Sequence, residues 1–368
     1  MKRLVLLGGG HAHLHVLKAL AAQTMAGAQV TLVSPFPRQM YSGMVPGLVA
    51  GHYGLDEVSV ALPPLAAAAK VEFLETSATA VNANEKTVEL LGGDTLAYDV
   101  LSLDTGPVMD RDLIRGAREH ALFVRPIEHF NRLWTGLLDL ALTRALDLVV
   151  VGGGAAGVEL VMALQYRLCT VAGTGARLSL VTGGTSPMPS HSIKVQARVK
   201  QALKRRNITV FEDICLEVRD GALLLGSGAR LACDAPVMAL GSSAPKWLAS
   251  SGLALDEAGL VATGTTLQST SHPDVFAAGD VSSRADVVHP RSGVYAVRAG
   301  PPLEANLRLH VGGGALLPYQ PQPRSLNLLA CGDRIAIASW GEWSIQGGWV
   351  WRWKDKIDRD FVARYRVV

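Results

Sequence analysis

Short apolar runs that break off at glycine recur along the chain, and apolar residues at helical spacing follow two of them. Leu148, Val149, Val150 and Val151 lead into Gly152-Gly153-Gly154-Ala155-Ala156-Gly157, after which Val158, Val161, Leu164 and Leu168 line one helix face. Near the start, residues 2–7 meet Gly8-Gly9-Gly10, and Leu14, Leu17 and Leu20 follow at the same spacing. Each stretch predicts a buried strand, a tight turn and a helix. Further strands are expected at 29–33, at short alternating segments within 71–101, at 177–181, before Gly241 and at 275–278. Helices are expected over much of 111–147, with Leu133, Leu137, Leu140 and Leu146 as the apolar face. Others are expected over 193–206 and 294–310, the latter with Val294, Val297, Leu303 and Leu307 as apolar positions.

A strand, a glycine turn and a helix start form the context in which GxGxxG binds a dinucleotide. In the second copy Gly152 permits the turn, Gly154 admits a pyrophosphate close to the backbone, and Gly157 lets helix and strand pack. The helix N-terminus then offers free N–H groups and partial positive charge to phosphate. The first copy is degenerate, because His13 stands at the third glycine position. That residue must push the helix off the strand or fill a compensating gap. The second strand of each unit would normally end in a carboxylate for the ribose diol. Here Ser34 and Thr182 stand at those places, with Arg38 close to the first. The late strand ends instead in Gly279-Asp280, a carboxylate suited to a polyol such as ribityl; a helix cap is the bland alternative.

The chain has 368 residues, 49% hydrophobic and 18% charged, enough for two or three packed domains and little disorder. A net charge of +3 with no broad basic stripe argues against a nucleic-acid binder, and the basic helix at 193–206 reads as a solvated face. Cys169, Cys215, Cys233 and Cys331 show no CxxC spacing, so neither structural zinc nor a local redox pair is expected. A reducing cytoplasm is the expected compartment. His11, His13 and His15 lie in the phosphate loop with no accompanying acid or thiol, and no metal is expected. No apolar run reaches membrane-spanning length.

The tail from residue 339 holds five of the seven tryptophans. Trp349, Trp353, Ile357, Phe361 and Tyr365 recur every fourth residue among basic residues, which predicts an amphipathic helix. Two fates are open for residues 340–368: the aromatic face lies on a membrane interface at the inner side, or it docks on the protein itself or on a second copy in a homodimer.

Two glycine loops about 145 residues apart, the Asp104-Thr105-Gly106 strand exit and the late Gly279-Asp280 together resemble the FAD-dependent pyridine nucleotide-disulfide oxidoreductase superfamily. The stretch Gly157-Val158-Glu159, with no cysteine pair after the first loop, resembles its type II NADH dehydrogenase-like branch. The stretches GGGHAHLHVL, YSGMVPGLVAGHY and WVWRWKDKIDRDF more narrowly resemble a bacterial flavoprotein module that occurs alone or fused to selenide, water dikinase.

This resemblance implies an α/β fold of two Rossmann-like, three-layer domains like glutathione reductase, plus a small C-terminal region. The FAD-binding domain would take 1–115 and 251–320, the NAD(P)H-binding domain 116–250, and the C-terminal region 321–368. Gly8, Gly9, Gly10, Ala12 and His13 would then belong to the FAD pyrophosphate loop. Ser34 and Arg38 would lie near the adenosine, Ala80 by the adenine, and Thr105 and Gly106 close by. Gly279 and Asp280 would meet ribityl, and the N–H groups of Val294 and Tyr295 the flavin pyrimidine edge. Gly152, Gly154, Gly157 and Gly241 would border NAD(P)H. Glu159 and Tyr295 would tune the flavin as the catalytic candidates.

The implied reaction carries a hydride from NAD(P)H through FAD to an acceptor such as a quinone. Two rivals stand beside it. A sulfide:quinone-type enzyme would need reactive cysteines near the flavin. A flavin-binding sensor or scaffold would keep only a vestigial nicotinamide site.

Overall fold

The structure, a computed structural model, describes residues 1–367. Two five-stranded parallel sheets organise it. In the first, Lys2–Leu7 is the middle strand, flanked by Ala28–Ser34 and then Glu72–Glu75 on one side. On its other side lie Val100–Leu103 and then Val275–Ala277, so the chain returns to this sheet after building the second. Leu4 to Leu7 are almost fully buried, as a strand covered on both faces requires. The helices His11–Ala22 and Gly293–Gly312 pack together, and a Cβ on Gly300 would sit 2.7 Å from the His15 Cβ.

Register decides where chemistry can gather. Leu7 pairs with both Val33 and Leu103, and Leu103 with Ala277. The four strands therefore end level, and the segments leaving them, Gly8–Gly10, Ser34, Asp104–Gly106 and Gly279–Asp280, share one sheet edge. Ligands bind at that edge in open α/β sheets. The second sheet repeats the device over Leu122–Phe123, Ala235–Met238, Asp147–Val151, Arg177–Val181 and Thr209–Phe211. Val151 pairs with Val181 and with Met238, which aligns Gly152, Thr182 and the approach to Gly241.

The 111–147 segment is less helical than its apolar spacing suggests: a short helix Ala117–His120, a short strand, then the long helix Ile127–Thr143. Its buried face is Phe130, Trp134, Leu137 and Ala141, while Leu133 and Leu140 are exposed. The two large aromatics set the helix rotation because they bury the most surface. The 294–310 expectation corresponds to Gly293–Gly312, which buries Leu303 and Leu307 but leaves Val294 at the surface.

A three-stranded antiparallel sheet, Asn327–Ala330, Ala336–Trp340 and Trp343–Gly347, leads into the last helix, Gly348–Tyr365. The tail does not present one aromatic face. A four-residue repeat advances about 40° per step on a helix of 3.6 residues per turn, so the stripe spirals. Trp349, Trp353 and Ile357 stay partly exposed, whereas Phe361 and Tyr365 turn into the core. The inward face is Val350, Lys354, Asp358, Phe361, Val362 and Tyr365. No helix among the described residues is long and apolar enough to cross a membrane.

Candidate functional site

A cavity of about 490 Å³ opens at the level strand ends of the first sheet. Gly8, Gly9, Gly10, Ser34, Arg38, Thr105, Gly106 and Asp280 line it, so eight of the residues expected at the FAD site come together. Val33, Pro35, Met40, Met109, Ile127 and Trp247 supply apolar wall, and Arg125 supplies positive charge. The mixture suits a long ligand with flat rings and a charged middle. The glycines are needed: a Cβ on Gly10 would lie 2.3 Å from the Asp104 carboxyl, and one on Gly8 2.4 Å from the Asp104 carbonyl oxygen.

His13 fills a gap rather than forcing the helix away. Its ring is fully buried between helix and sheet, with Nδ1 2.6 Å from the Gly8 carbonyl oxygen and Nε2 2.8 Å from Ser102 Oγ. The carbonyl can only accept, so Nδ1 carries the proton and Nε2 accepts from the Ser102 hydroxyl. Burial pushes the ring down to about 4, which keeps this neutral arrangement. His13 and Ala12 therefore support the loop from behind and do not line the cavity.

Asp104 enters the sequence reading only as part of the Asp104-Thr105-Gly106 strand exit, without a role, yet it is the centre of the cradle. It is 2% exposed, and its Oδ2 accepts the N–H groups of Ala12 at 2.8 Å and His13 at 2.9 Å. Its own N–H donates to Leu7 O and its carbonyl accepts from Gly10 N. A carboxylate from a neighbouring strand thus caps a helix whose own N-cap, Gly10, has no side chain to do so. The available signal was an acid, not a small residue, at a strand exit level with the glycine loop.

Other expected residues lie elsewhere. Ala80 is in the small antiparallel sheet paired with Glu89, and Thr76, Ser77 and Ala78 take the cavity wall instead. Val294 and Tyr295 occupy the first turn of Gly293–Gly312, but Gly293 and Ala296 are the residues that reach the cavity. The Tyr295 ring stacks on His289, centroids 4.7 Å apart, on a separate small cleft that Gly279 also borders. Ser34 Oγ donates to Phe36 O, and Arg38 pairs with Asp56 at 3.4 Å.

In the second unit, a Cβ on Gly157 would come within 1.9 Å of Gly152 O, so only glycine lets this helix approach the loop. Gly154 and Gly241 face open space, with nothing within 4 Å of a built Cβ. The backbone at Gly154 and Gly241 is therefore open to close approach. The ribose position differs from the usual pattern: the Thr182 hydroxyl donates to Thr185 O and approaches Phe211 O, so it is engaged within the protein.

Glu159 lies just inside the helix that follows this loop, and its Oε1 accepts the Ala330 N–H at 2.6 Å. Burial pushes its carboxyl up to about 7, against the opposing pull of Lys354 and the Ala330 hydrogen bond. Lys354 Nζ reaches Asp358 Oδ2 at 2.6 Å and Gly43 O at 2.6 Å. The last helix is thereby tied to the Ser42–Met44 turn beside the cavity.

The cysteines do not form a site. Cys169 donates to Ala176 O at the far end of the second sheet, beside Asp147 and Arg177. Cys331 is fully buried, and burial pushes its thiol up to about 12. Among the described residues no group of three His, Cys, Asp or Glu is arranged to hold a metal.

A sequence profile of the pyridine nucleotide-disulphide oxidoreductases matches residues 2–300. The chain is 28% identical over 224 residues to the NADH dehydrogenase-like protein MT1860 of Mycobacterium tuberculosis. That alignment covers 58% of this chain and 56% of the mycobacterial protein, so the chain spans little more than half of that relative. It is 25% identical over 346 residues to the type II NADH:quinone oxidoreductase of Haemophilus influenzae, covering 79% of this chain and 77% of that one. The sulfide:quinone oxidoreductase of Aquifex aeolicus superposes with a TM-score of 0.81 at 17% identity, over 99% of this chain and 91% of the other, a likeness of fold.

Proposed function

The chain belongs to the pyridine nucleotide-disulphide oxidoreductase family, whose cofactors are FAD and NAD(P)H, and on that premise we propose that it is an NAD(P)H:quinone oxidoreductase. The observation that carries this reading is the pair of glycine loops, each at the level strand ends of its own parallel sheet. The first faces the cavity, and the second leaves Gly154 open. Bound FAD would supply the redox chemistry between NAD(P)H and the acceptor.

The chain's residues hold and orient. The loop at Gly8–Gly10 and the start of the helix after it would hold the FAD pyrophosphate, and Asp280, on the same cavity, would hydrogen-bond the ribityl hydroxyls. The second loop receives the NAD(P)H pyrophosphate. Glu159, with a carboxyl that changes protonation near neutral pH, is the candidate for proton exchange during turnover. The name of the Haemophilus relative supports a quinone as acceptor. The separation of Cys169 from the loops speaks against the sulfide reading.

The test is anaerobic titration of the FAD-loaded protein with NADH and with NADPH, following flavin absorbance. Bleaching at one equivalent, reversed by added quinone, is the expected outcome. Bleaching by sulfide but by neither nucleotide would overturn the proposal in favour of sulfide chemistry. No bleaching by any donor would leave a flavin-binding scaffold.

A further inference from the structure

A family member is expected to present the FAD pyrophosphate with helix N–H groups and uncharged glycine backbone. In this chain a carboxyl group stands there as well. Asp104 Oδ2 takes the inner N–H groups of Ala12 and His13, so the helix start is already capped before any ligand arrives. The other oxygen, Oδ1, lies where a Cβ on Gly279 would be only 2.8 Å away, and among the described residues no donor is placed on it. Asp104 and Asp280 both line the cavity, which places two carboxyls around a space meant for a doubly charged diphosphate.

Arg38, Arg111 and Arg125 line the same cavity, but none of them is among the groups that act on Asp104. His13 is neutral and engaged by Gly8 O and Ser102, and burial and Arg125 keep His11 neutral as well. Arg125, with Arg291 and His289, acts on Asp280. An ionised Asp104 facing a diphosphate would be a buried like-charge contact, which proteins avoid by neutralising one partner.

We propose that FAD binding takes up one proton from solvent onto Asp104, whose Oδ1 then turns from a repelling acceptor into a donor toward the cofactor's diphosphate. Oδ2 keeps its two N–H bonds in either state, so the loop holds its shape while only the charge changes. Asp104 is a positioning residue that makes FAD retention depend on pH. In the free protein burial already pushes this carboxyl above the usual range, the Ala12 and His13 N–H groups pull it back and Asp280 pushes it up again, and a diphosphate beside it would push it further in the same direction. The inference rests on FAD being the ligand of the first loop.

The experiment measures FAD affinity of the full chain from pH 6 to pH 9, by fluorescence and by calorimetry in two buffers of different ionisation enthalpy. The FAD diphosphate is fully ionised throughout this range, so it contributes no titration of its own. Wild type should bind FAD more weakly as pH rises, by up to about tenfold per unit, with up to one proton taken up per FAD. Asp104→Asn keeps an oxygen for the two N–H groups and cannot titrate, so its affinity should be flat with pH and its proton uptake absent. Asp280→Asn removes a charge that pushes Asp104 up, so it should move the pH range of the slope downward without abolishing it. A flat wild-type profile, or a slope that survives in D104N and vanishes in D280N, would overturn the proposal. The wild-type proton count stands even where D104N does not fold. A chain that binds no FAD at any pH would instead remove the cofactor reading on which this rests.

Discussion

Glu159 shows how one side chain can matter to stability and to chemistry through the same cause. Its folded carboxyl titrates near 7, raised from an ordinary 4.5, and burial is the main reason. A raised acid stabilises the fold while it is protonated and loses that contribution as pH rises through the folded value. Glu159→Gln keeps an oxygen for the Ala330 N–H and removes the charge. It should match wild type in stability at pH 4, gain steadily between pH 5 and 7, and level off at about 3 kcal/mol, from about 1.4 kcal/mol per unit. Thermal unfolding at four pH values checks this, and a gain equal at all of them would contradict the assigned cause. Glu159 was visible in the sequence only by its place after the second loop; its hydrogen bond to Ala330 joins residues 171 positions apart, which no local pattern records. His13 was visible as a misfit, and Asp104 only as the first residue of a strand exit, with no role attached. The compensation for the first and the role of the second depend on Ser102 and Gly10, brought together by strand register.

At the level of the element, the last helix separates a pattern that looks periodic from one that is. Aromatic and apolar residues recur by fours from Trp349 onward, but the buried set 350, 354, 358, 361, 365 contains the single step of three that keeps a stripe on one side. Charged residues at two of those positions concealed it. Lys354 and Asp358, both nearly inaccessible, form an i,i+4 pair that also holds Gly43 O. Removing one partner leaves a buried charge, whereas removing both need not. Lys354→Met should cost about 3–5 kcal/mol in urea unfolding, and the double change Lys354→Met with Asp358→Leu should recover most of it. Equal losses in both would mean that packing, not charge, holds the helix. The strands that run into the two glycine loops were legible for the opposite reason: residues 4–7 and 148–151 are short, continuous apolar runs whose buried state follows from their own composition.

For the whole molecule, the same helix connects an inner and an outer surface. Its inner face fastens the turn beside the cavity through Lys354, and its outer face leaves Trp349 and Trp353 partly exposed with rings nearly parallel, centroids 6.4 Å apart. Trp343, 80% exposed, extends the aromatic surface onto the preceding strand. Tryptophan favours the membrane–water interface, where an apolar body and a polar N–H both find partners. The basic residues around it are less free than their number suggests: Lys356 pairs with Asp360, and Arg359 with both Asp355 and Glu57. Attachment to lipid would therefore depend on the tryptophans more than on charge, and would resist salt that screens exposed ions. Sedimentation with vesicles containing a long-chain quinone should persist at about 0.5 M salt, where the Debye length falls to a few ångströms. Replacing Trp343, Trp349 and Trp353 by Gln should abolish it. The triple variant should still be bleached by NADH and reoxidised by a water-soluble quinone at the wild-type rate, because none of the three lines the cavity. Its turnover with the vesicle-borne quinone should fall at least about tenfold, a loss corresponding to about 1.4 kcal/mol. Unchanged sedimentation in that variant would instead leave this aromatic surface to a protein partner, and with it the expectation of a lipid-borne acceptor would go.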